Sequence, residues 1–338
     1  RAPFDLSRAT RHRVRAARLR AGGIIGKGRY MGVAIGLGLS ECPFKDPGDY
    51  WRWIDLCEAG GIDSMWQTDR LVGPHPMLET LTVMAALAGR TQKMKFGMNV
   101  LSAAFRDPVL IAKQCATIDF LSGGRLLPAF GIGSPKAPEW NALAIDTKGR
   151  GKRTDEALEI IQRLWKGETV DYDGVYFNLR GARIDPLPIQ SELPLWIGGG
   201  SNAAIRRTAR IGTGWMGGSE SAPEAASIVA GIKAELDLTG RAIESDHYGT
   251  SFPVYIGTPN APIVARAMQA YTERTGRDAN AVFAVGEPAS IVERVAGFVD
   301  AGVYKFVLRP VGADADETLA QTRRIIEDVI PAVASWFA

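Results

Sequence analysis

The chain has 338 residues, enough for two average domains or for one α/β barrel of about 250 residues with insertions. Hydrophobic residues make up 46% beside 38 glycines and 19 prolines, a globular composition rich in turns, and no apolar run approaches the ~18 residues of a membrane span. The net charge of +3 does not mark a nucleic-acid surface, because residues 1 to 29 hold nine Lys or Arg against one acid, Asp5, and leave the remainder near −5. Cys42, Cys57 and Cys115 share no metal-like spacing, so no metal is expected and a reduced, cytoplasmic setting is.

The basic tail, residues 1–29, lacks the apolar core of a secretory signal. An Arg-rich transit peptide or a solvated arm would have this composition. The preferred reading takes Met31 as the native start, with the folded domain running over 30–338.

From Met31 apolar strands alternate with amphipathic helices. Residues 31–40 read as a buried strand and Asp49 to Ala59 as a helix ended by Gly60-Gly61. A strand at 64–69, a helix from Pro76 to Gly89 and a strand at 95–102 follow. Asp107-Pro108 opens a helix to Phe120, and 125–133 is the fourth strand. A long helix covers Arg153 to Lys166. Thr169 to Leu193, with Asp173-Gly174 between aromatic segments, reads as a hairpin insertion.

The stretch Leu193 to Trp215 is the most informative. An apolar strand runs through Gly198-Gly199-Gly200-Ser201 straight into a helix, which makes an anion site: glycine lets backbone N–H groups approach a phosphate, and the helix dipole favours negative charge there. Gly198, Gly200 and Ala203 with Glu220 also satisfy a loose dinucleotide fingerprint, and a plain strand-to-helix turn is the third reading. A dinucleotide fold would place the motif after its first strand, whereas about four strand-helix units precede it here.

The pattern continues with a strand at 214–219, a helix from Pro223 to Leu238, a strand at 247–257 made irregular by Pro253, and helices at Pro262 to Thr275 and Pro288 to Ala301. A strand at 305–310 and a helix ending near Phe337 close the chain. Eight strand-helix units without a linker predict a single (β/α)8 TIM barrel. In such barrels the chemistry sits at the carboxyl ends of the strands, here Thr68-Asp69-Arg70, Asn99, Ser102, Gly133-Ser134, Gly198 to Ser201, Ser219, Tyr255 and Arg309. Ser122 to Arg125 falls at the opposite face, as a helix stop with a stabilising Arg, and His247 also begins a strand at that face.

Three blocks, Arg106 to Arg125, Arg153 to Trp165 and the glycine-rich stretch through Trp215, resemble in order and spacing the bacterial luciferase-like superfamily of flavin- and deazaflavin-dependent oxidoreductases. The resemblance covers about Met31 to Arg309. It implies a barrel with a flavin-type ring at its mouth and the cofactor phosphate on Gly198, Gly199, Gly200 and Ser201. Asn99 and Val100 match the third-strand stretch beneath the ring, often bulged or carrying a non-proline cis peptide. The other reading of Asn99 is an amide satisfied by backbone at the rim. Gly131, Gly133 and Ser134 sit where the fourth strand opens on the site, or form a tight turn before a helix. Asp69 belongs to the same cofactor-binding set.

The end of the second strand departs from the family. Many relatives have Asp-His there, and this chain has Asp69-Arg70. Arginine takes no part in acid-base exchange at neutral pH but stabilises an anionic reduced ring; the alternative is a surface Arg paired with Asp69. His75 is the nearest substitute proton donor, or a solvated loop residue. Two rim carboxylates, Glu79 and Glu139, would suit glycoside hydrolysis, but neither closes a strand.

The resemblance implies first a monooxygenase that uses reduced flavin mononucleotide (FMN) and, as the alternative, hydride transfer with a deazaflavin. A flavin-binding protein without catalysis is the reading from another class. The implied partners are a small organic substrate, a flavin reductase and further copies of the chain.

Overall fold

The computed structural model describes residues 32–336, so the basic tail and the readings made for it lie outside the described residues. Strands and helices alternate. In chain order β1 is Ala34–Gly38, α1 Pro47–Ala59, β2 Ser64–Gln67, α2 Thr80–Arg90, β3 Lys95–Met98, β4 Leu101–Ser102 and α3 Pro108–Ser122. Then come β5 Leu126–Leu127, β6 Ala129–Gly131, α4 Glu139–Ala142, α5 Arg150–Trp165, β7 Val170–Asp173, β8 Asn178–Ala182, β9 Trp196–Gly198, α6 Asn202–Ile211, β10 Gly214–Met216 and α7 Ala222–Thr239. The last part holds β11 Tyr248–Ile256, α8 Pro262–Thr275, β12 Ala284–Gly286, α9 Pro288–Asp300, β13 Lys305–Pro310 and α10 Ala315–Arg324.

This is an α/β fold on a parallel sheet. Neighbouring strands run β4, β6, β9, β10, β11, β13, β1, β2, β3, β5, with β12 beside β11. β3 and β4 are two parts of one run, 95–102, and β5 and β6 of another, 126–131; the first pairs in parallel with the second at both levels. The antiparallel pair β7 and β8 forms the expected hairpin insertion. It is tied back by Asp119 of α3, whose carboxylate accepts from the Ile189 and Gln190 N–H groups at 2.9 and 3.0 Å.

Two apolar sets divide the sheet. Met65, Phe306 and Leu308 pack outward with the helices, whereas Trp66, Ala129, Trp196, Met216 and Val307 fill the inside. Side chains alternate across a strand, so Lys305, Val307 and Arg309 of β13 share the inner side. Lys305 closes the amino-terminal floor by pairing with Asp63.

The opposite-face reading of Ser122 to Arg125 holds. Gly123 ends α3 in the left-handed region, and the Arg125 guanidinium donates to the Ala88, Thr91 and Met94 carbonyls, clamping the end of α2. His247 also sits there, its Nδ1 2.8 Å from the Thr213 carbonyl. Two expectations need correction. Pro253 does not break its strand, since β11 runs nine residues and Pro253 keeps register with Arg309. The helix expected from Pro76 starts at Thr80, because the Glu79 carboxylate caps it through the Thr82 N–H at 2.8 Å. Among the described residues no helix is long and apolar enough to cross a membrane.

Candidate active site

The carboxyl ends of the strands gather most of the residues singled out above. The peptide between Asn99 and Val100, separating β3 from β4, is cis. Asn99 donates its backbone N–H to the Gln67 carbonyl at 2.8 Å and its side-chain Nδ2 to the Ser251 Oγ of β11 at 2.9 Å. Its side chain therefore has a partner across the inside of the sheet, and not a backbone partner at the rim. Val100 projects beside the ends of β6 and β9, against Gly131 and Gly198.

The Gly198 to Ser201 turn has the shape the sequence calls for. Gly199 has φ +101°, open to glycine and unfavourable for other residues. Its carbonyl accepts from the Trp215 indole at 2.9 Å, which fixes the turn to β10. Ser201 caps α6 by accepting from the Ala204 N–H at 3.2 Å, and the remaining first-turn N–H groups point out of the helix end. A Cβ on Gly200 would lie 2.5 Å from the Ile228 side chain and 3.4 Å from the Glu220 carboxylate. Glu220, the acid of the loose dinucleotide fingerprint, accepts from the Gly218 and Ser219 N–H groups at 2.7 and 3.0 Å. With β9 far from the first strand of the chain and Glu220 held by its own loop, the dinucleotide reading loses both its context and its acidic partner.

Asp69 finds its partners within the fold. Its side chain is 2% exposed and grips Arg106, Oδ1 at 2.7 Å and Oδ2 at 3.0 Å, while Ser102 N–H and Thr80 Oγ1 donate to the two oxygens at 2.9 and 3.1 Å. With these four donors the carboxylate braces the rim by joining the end of β2 to the start of α3. Arg106 also reaches Glu79 at 2.9 Å. Burial works against the Arg106 charge, but Asp69 and Glu79 outweigh it and hold its pKa above the ordinary value.

Because Asp69 is taken, Arg70 is not its surface partner. The Arg70 Nε is buried and has no hydrogen-bond acceptor. The side chain lies under the 71–75 loop, 3.9 Å from where a Cβ on Gly73 would be.

His75 is elsewhere. Its side chain is 59% exposed and pairs with Glu41 at 2.9 Å, the solvated-loop arrangement. Gly133 and Ser134 form the tight turn: Gly133 is held at φ +73° between Phe105 and Trp140, and the Ser134 carbonyl accepts from the Trp140 indole at 2.7 Å. Glu79 caps α2 and Glu139 accepts from the Leu71 N–H at 3.1 Å, so neither carboxylate is set for glycoside hydrolysis. Sequence reasoning gave no role to Arg106 or Ser251, and their spacing from Asp69 and Asn99 holds no signal. Among the described residues no group of His, Cys, Asp and Glu is placed to hold a metal ion.

A family model described as luciferase-like monooxygenase matches residues 33–305. The chain belongs to the luciferase-like family of oxidoreductases. It is 28% identical over 317 residues to the F420-dependent glucose-6-phosphate dehydrogenase of Microbacterium testaceum, spanning 84% of this chain and 92% of that protein. It is 32% identical over 217 residues to an uncharacterized protein of Mycobacterium tuberculosis, spanning 57% of this chain and 74% of the relative. Among solved structures, monooxygenase RslO1 from Streptomyces bottropensis matches with a TM-score of 0.76 at 20% identity over 88% of this chain and 99% of that one. An F420-dependent secondary alcohol dehydrogenase in complex with an F420-acetone adduct matches with the same TM-score, 0.76, at 18% identity over 90% of this chain and 99% of that one. These two structures establish the luciferase-like fold of the parallel sheet.

Proposed function

We propose that this luciferase-like oxidoreductase is a complete (β/α)8 barrel that binds a phosphorylated deazaflavin at its carboxyl-end mouth and uses it to oxidise or reduce a small organic substrate. The observation that carries the reading is the Gly199 to Ser201 turn at the start of α6, whose backbone conformation and outward N–H groups fit a phosphate. Closure is supported by the parallel pairing of the run 95–102 with 126–131. The choice of deazaflavin is supported by relatives described as F420-dependent that align over 84% of this chain.

In this reading Gly198, Gly199, Gly200 and Ser201 hold the phosphate, Asn99 and Val100 support the ring, and Arg70 supplies a fixed positive charge beside it. When bound, the cofactor supplies the redox chemistry, and the chain supplies position and electrostatics. Asp69 and Arg106 fix the rim on which Arg70 stands. In this reading Arg70 acts as a fixed charge and not as an acid. His75, being solvent-exposed, carries no role here.

The second reading is a reduced-FMN monooxygenase. It is supported by fold likeness to the FMN-bound oxygenating constituent of 3,6-diketocamphane monooxygenase, TM-score 0.72 at 16% identity. Titrating the purified protein with F420 and with FMN, each oxidised and reduced, tests both. The first reading expects F420 to bind at least tenfold more tightly than FMN. Tighter FMN binding overturns it in favour of the second, and no binding of either overturns both.

A further inference from the structure

Arg309 is the last charged residue of β13 and lies on the inner side with Val307, at the same strand ends as the glycine-rich turn. Its Nε is buried without an acceptor. Arg274 and Tyr271 of α8 act on it electrostatically, and the Arg274 guanidinium lies 5.6 Å from the centre of the Tyr271 ring. Tyr271 is only 7% exposed and its hydroxyl also lacks a partner. Burial first, and then the Arg274 charge, lower the Arg309 pKa to about 10, with Tyr271 acting in the opposite direction.

Such a cluster calls for an explanation. Two guanidinium groups that feel each other repel, and a buried N–H without an acceptor is costly, so folded proteins normally supply a carboxylate or carbonyl. Among the described residues neither Arg309 nor Arg274 forms an ion pair. Elsewhere the fold neutralises its buried cations: Arg106 has Asp69, Arg207 has Asp155 and Lys305 has Asp63. Arg70, just past the end of β2, and Arg150, at the start of α5, are the other arginines whose buried Nε lacks a partner. β1 separates β2 from β13, so these two strand ends are two strand spacings apart, roughly 10 Å.

We propose that Arg309, Arg274 and the Tyr271 hydroxyl form an anion subsite at the mouth that receives an oxyanion group, phosphate or carboxylate, carried by the substrate. The planar fork of Arg309 suits a bidentate oxyanion, Tyr271 adds a neutral donor, and Arg274 adds charge from the rim. The subsite rests on the proposed function only for the claim that the oxyanion belongs to the substrate of the same mouth.

The test is calorimetric titration of the full chain, without added cofactor, with inorganic phosphate and separately with succinate. Parent protein is compared with Arg309→Gln, Arg274→Gln, Tyr271→Phe and Gly199→Val, folding being checked by circular dichroism. The subsite predicts anion binding that survives Gly199→Val, weakens at least tenfold in Arg309→Gln, and weakens less in Arg274→Gln and Tyr271→Phe. Whether phosphate or succinate binds more tightly there assigns the oxyanion. Binding that is abolished by Gly199→Val and unaffected by the other three variants overturns the subsite while leaving the proposed function intact. Binding that weakens in the Arg309, Arg274 and Tyr271 variants but not in Gly199→Val, in a protein that takes neither F420 nor FMN, upholds the subsite and removes the cofactor reading. If Arg309→Gln does not fold, Arg274→Gln and Tyr271→Phe decide, and unchanged anion affinity in both overturns the proposal.

Discussion

Val100 occupies the space that a side chain on Gly131 would need: a Cβ there would lie 2.7 Å from the Val100 Cγ2, and one on Gly198 2.9 Å from the same atom. Two of the glycines at the mouth are therefore set by a neighbouring valine. Overpacking of this kind costs about 1–3 kcal/mol, so Gly131→Ala should lower the melting temperature measurably. Adding Val100→Ala should recover part of the loss, because it removes the methyl in the way. Thermal melts of the two single variants and the double variant check this, and purely additive losses would show that the two residues do not compete for space.

The pairing of Asp69 with Arg106 carries a second expectation. Breaking a buried pair leaves one charge uncompensated, at a cost of about 3–5 kcal/mol. Arg106→Met should therefore destabilise the protein strongly, and more than Glu79→Gln, whose carboxylate is 38% exposed and cooperates with a backbone cap. Chemical denaturation of both variants gives the comparison. Equal losses would mean that Asp69 is solvated when its partner is removed.

Much of the fold was legible because strand and helix alternation is written in local periodicity. The helix stop at Gly123, the capping at Asp107 and the hairpin around Asp173 are all local signals. The glycine-rich turn was legible for the same reason. The pairings at the mouth were not. Asp69 finds Arg106 37 residues away and Asn99 finds Ser251 152 residues away, and no spacing rule says which charges meet once strands are placed side by side. Sequence could suggest that Arg70 pairs with its neighbour Asp69; only the packing shows that Arg106 holds the carboxylate. Arg309 was visible as a polar strand end, but its lack of a partner is a property of the assembled sheet.

Glu79 gives a pH dependence whose sign can be worked out. Burial acts to raise its pKa, but bonds from the Thr82 N–H and from Arg106 outweigh it and hold the carboxyl below the ordinary glutamate range. A folded pKa below the unfolded one contributes stability that is present above the unfolded value, near 4.3, and is lost as pH falls through the folded value. The melting temperatures of the parent and Glu79→Gln should therefore differ most near neutrality and converge on acidification below about pH 4. A difference that stays constant across this range would assign the residue's effect to packing alone.

The turn at Gly199 predicts a loss of binding without a loss of fold. At φ +101° a β-branched residue is strained, and displacing the backbone N–H groups removes charge-assisted bonds to a phosphate. Gly199→Val should weaken cofactor binding by about 2 kcal/mol or more, roughly 30-fold, while circular dichroism stays that of the parent. Cofactor affinity equal to the parent's would remove the phosphate from this turn.

The last expectation concerns Arg70. Its Nε is buried without an acceptor, and Asp69 is paired with Arg106. A fixed positive charge in that position favours an anionic reduced ring over a neutral oxidised one. Arg70→Ala should therefore lower the ratio of reduced to oxidised cofactor affinity, and 1.4 kcal/mol of preference is about tenfold in that ratio. The same change lowers the midpoint potential of the bound cofactor, which gives an independent readout. Arg70→Lys should restore only part of the effect, because a point charge keeps the sign but not the planar fork. Arg309→Gln is the informative companion: it lies two strand spacings away, so it should alter anion binding more than the affinity ratio. Ratios unchanged in both Arg70 variants would separate Arg70 from the ring, and its unpartnered Nε would then have to serve the substrate instead.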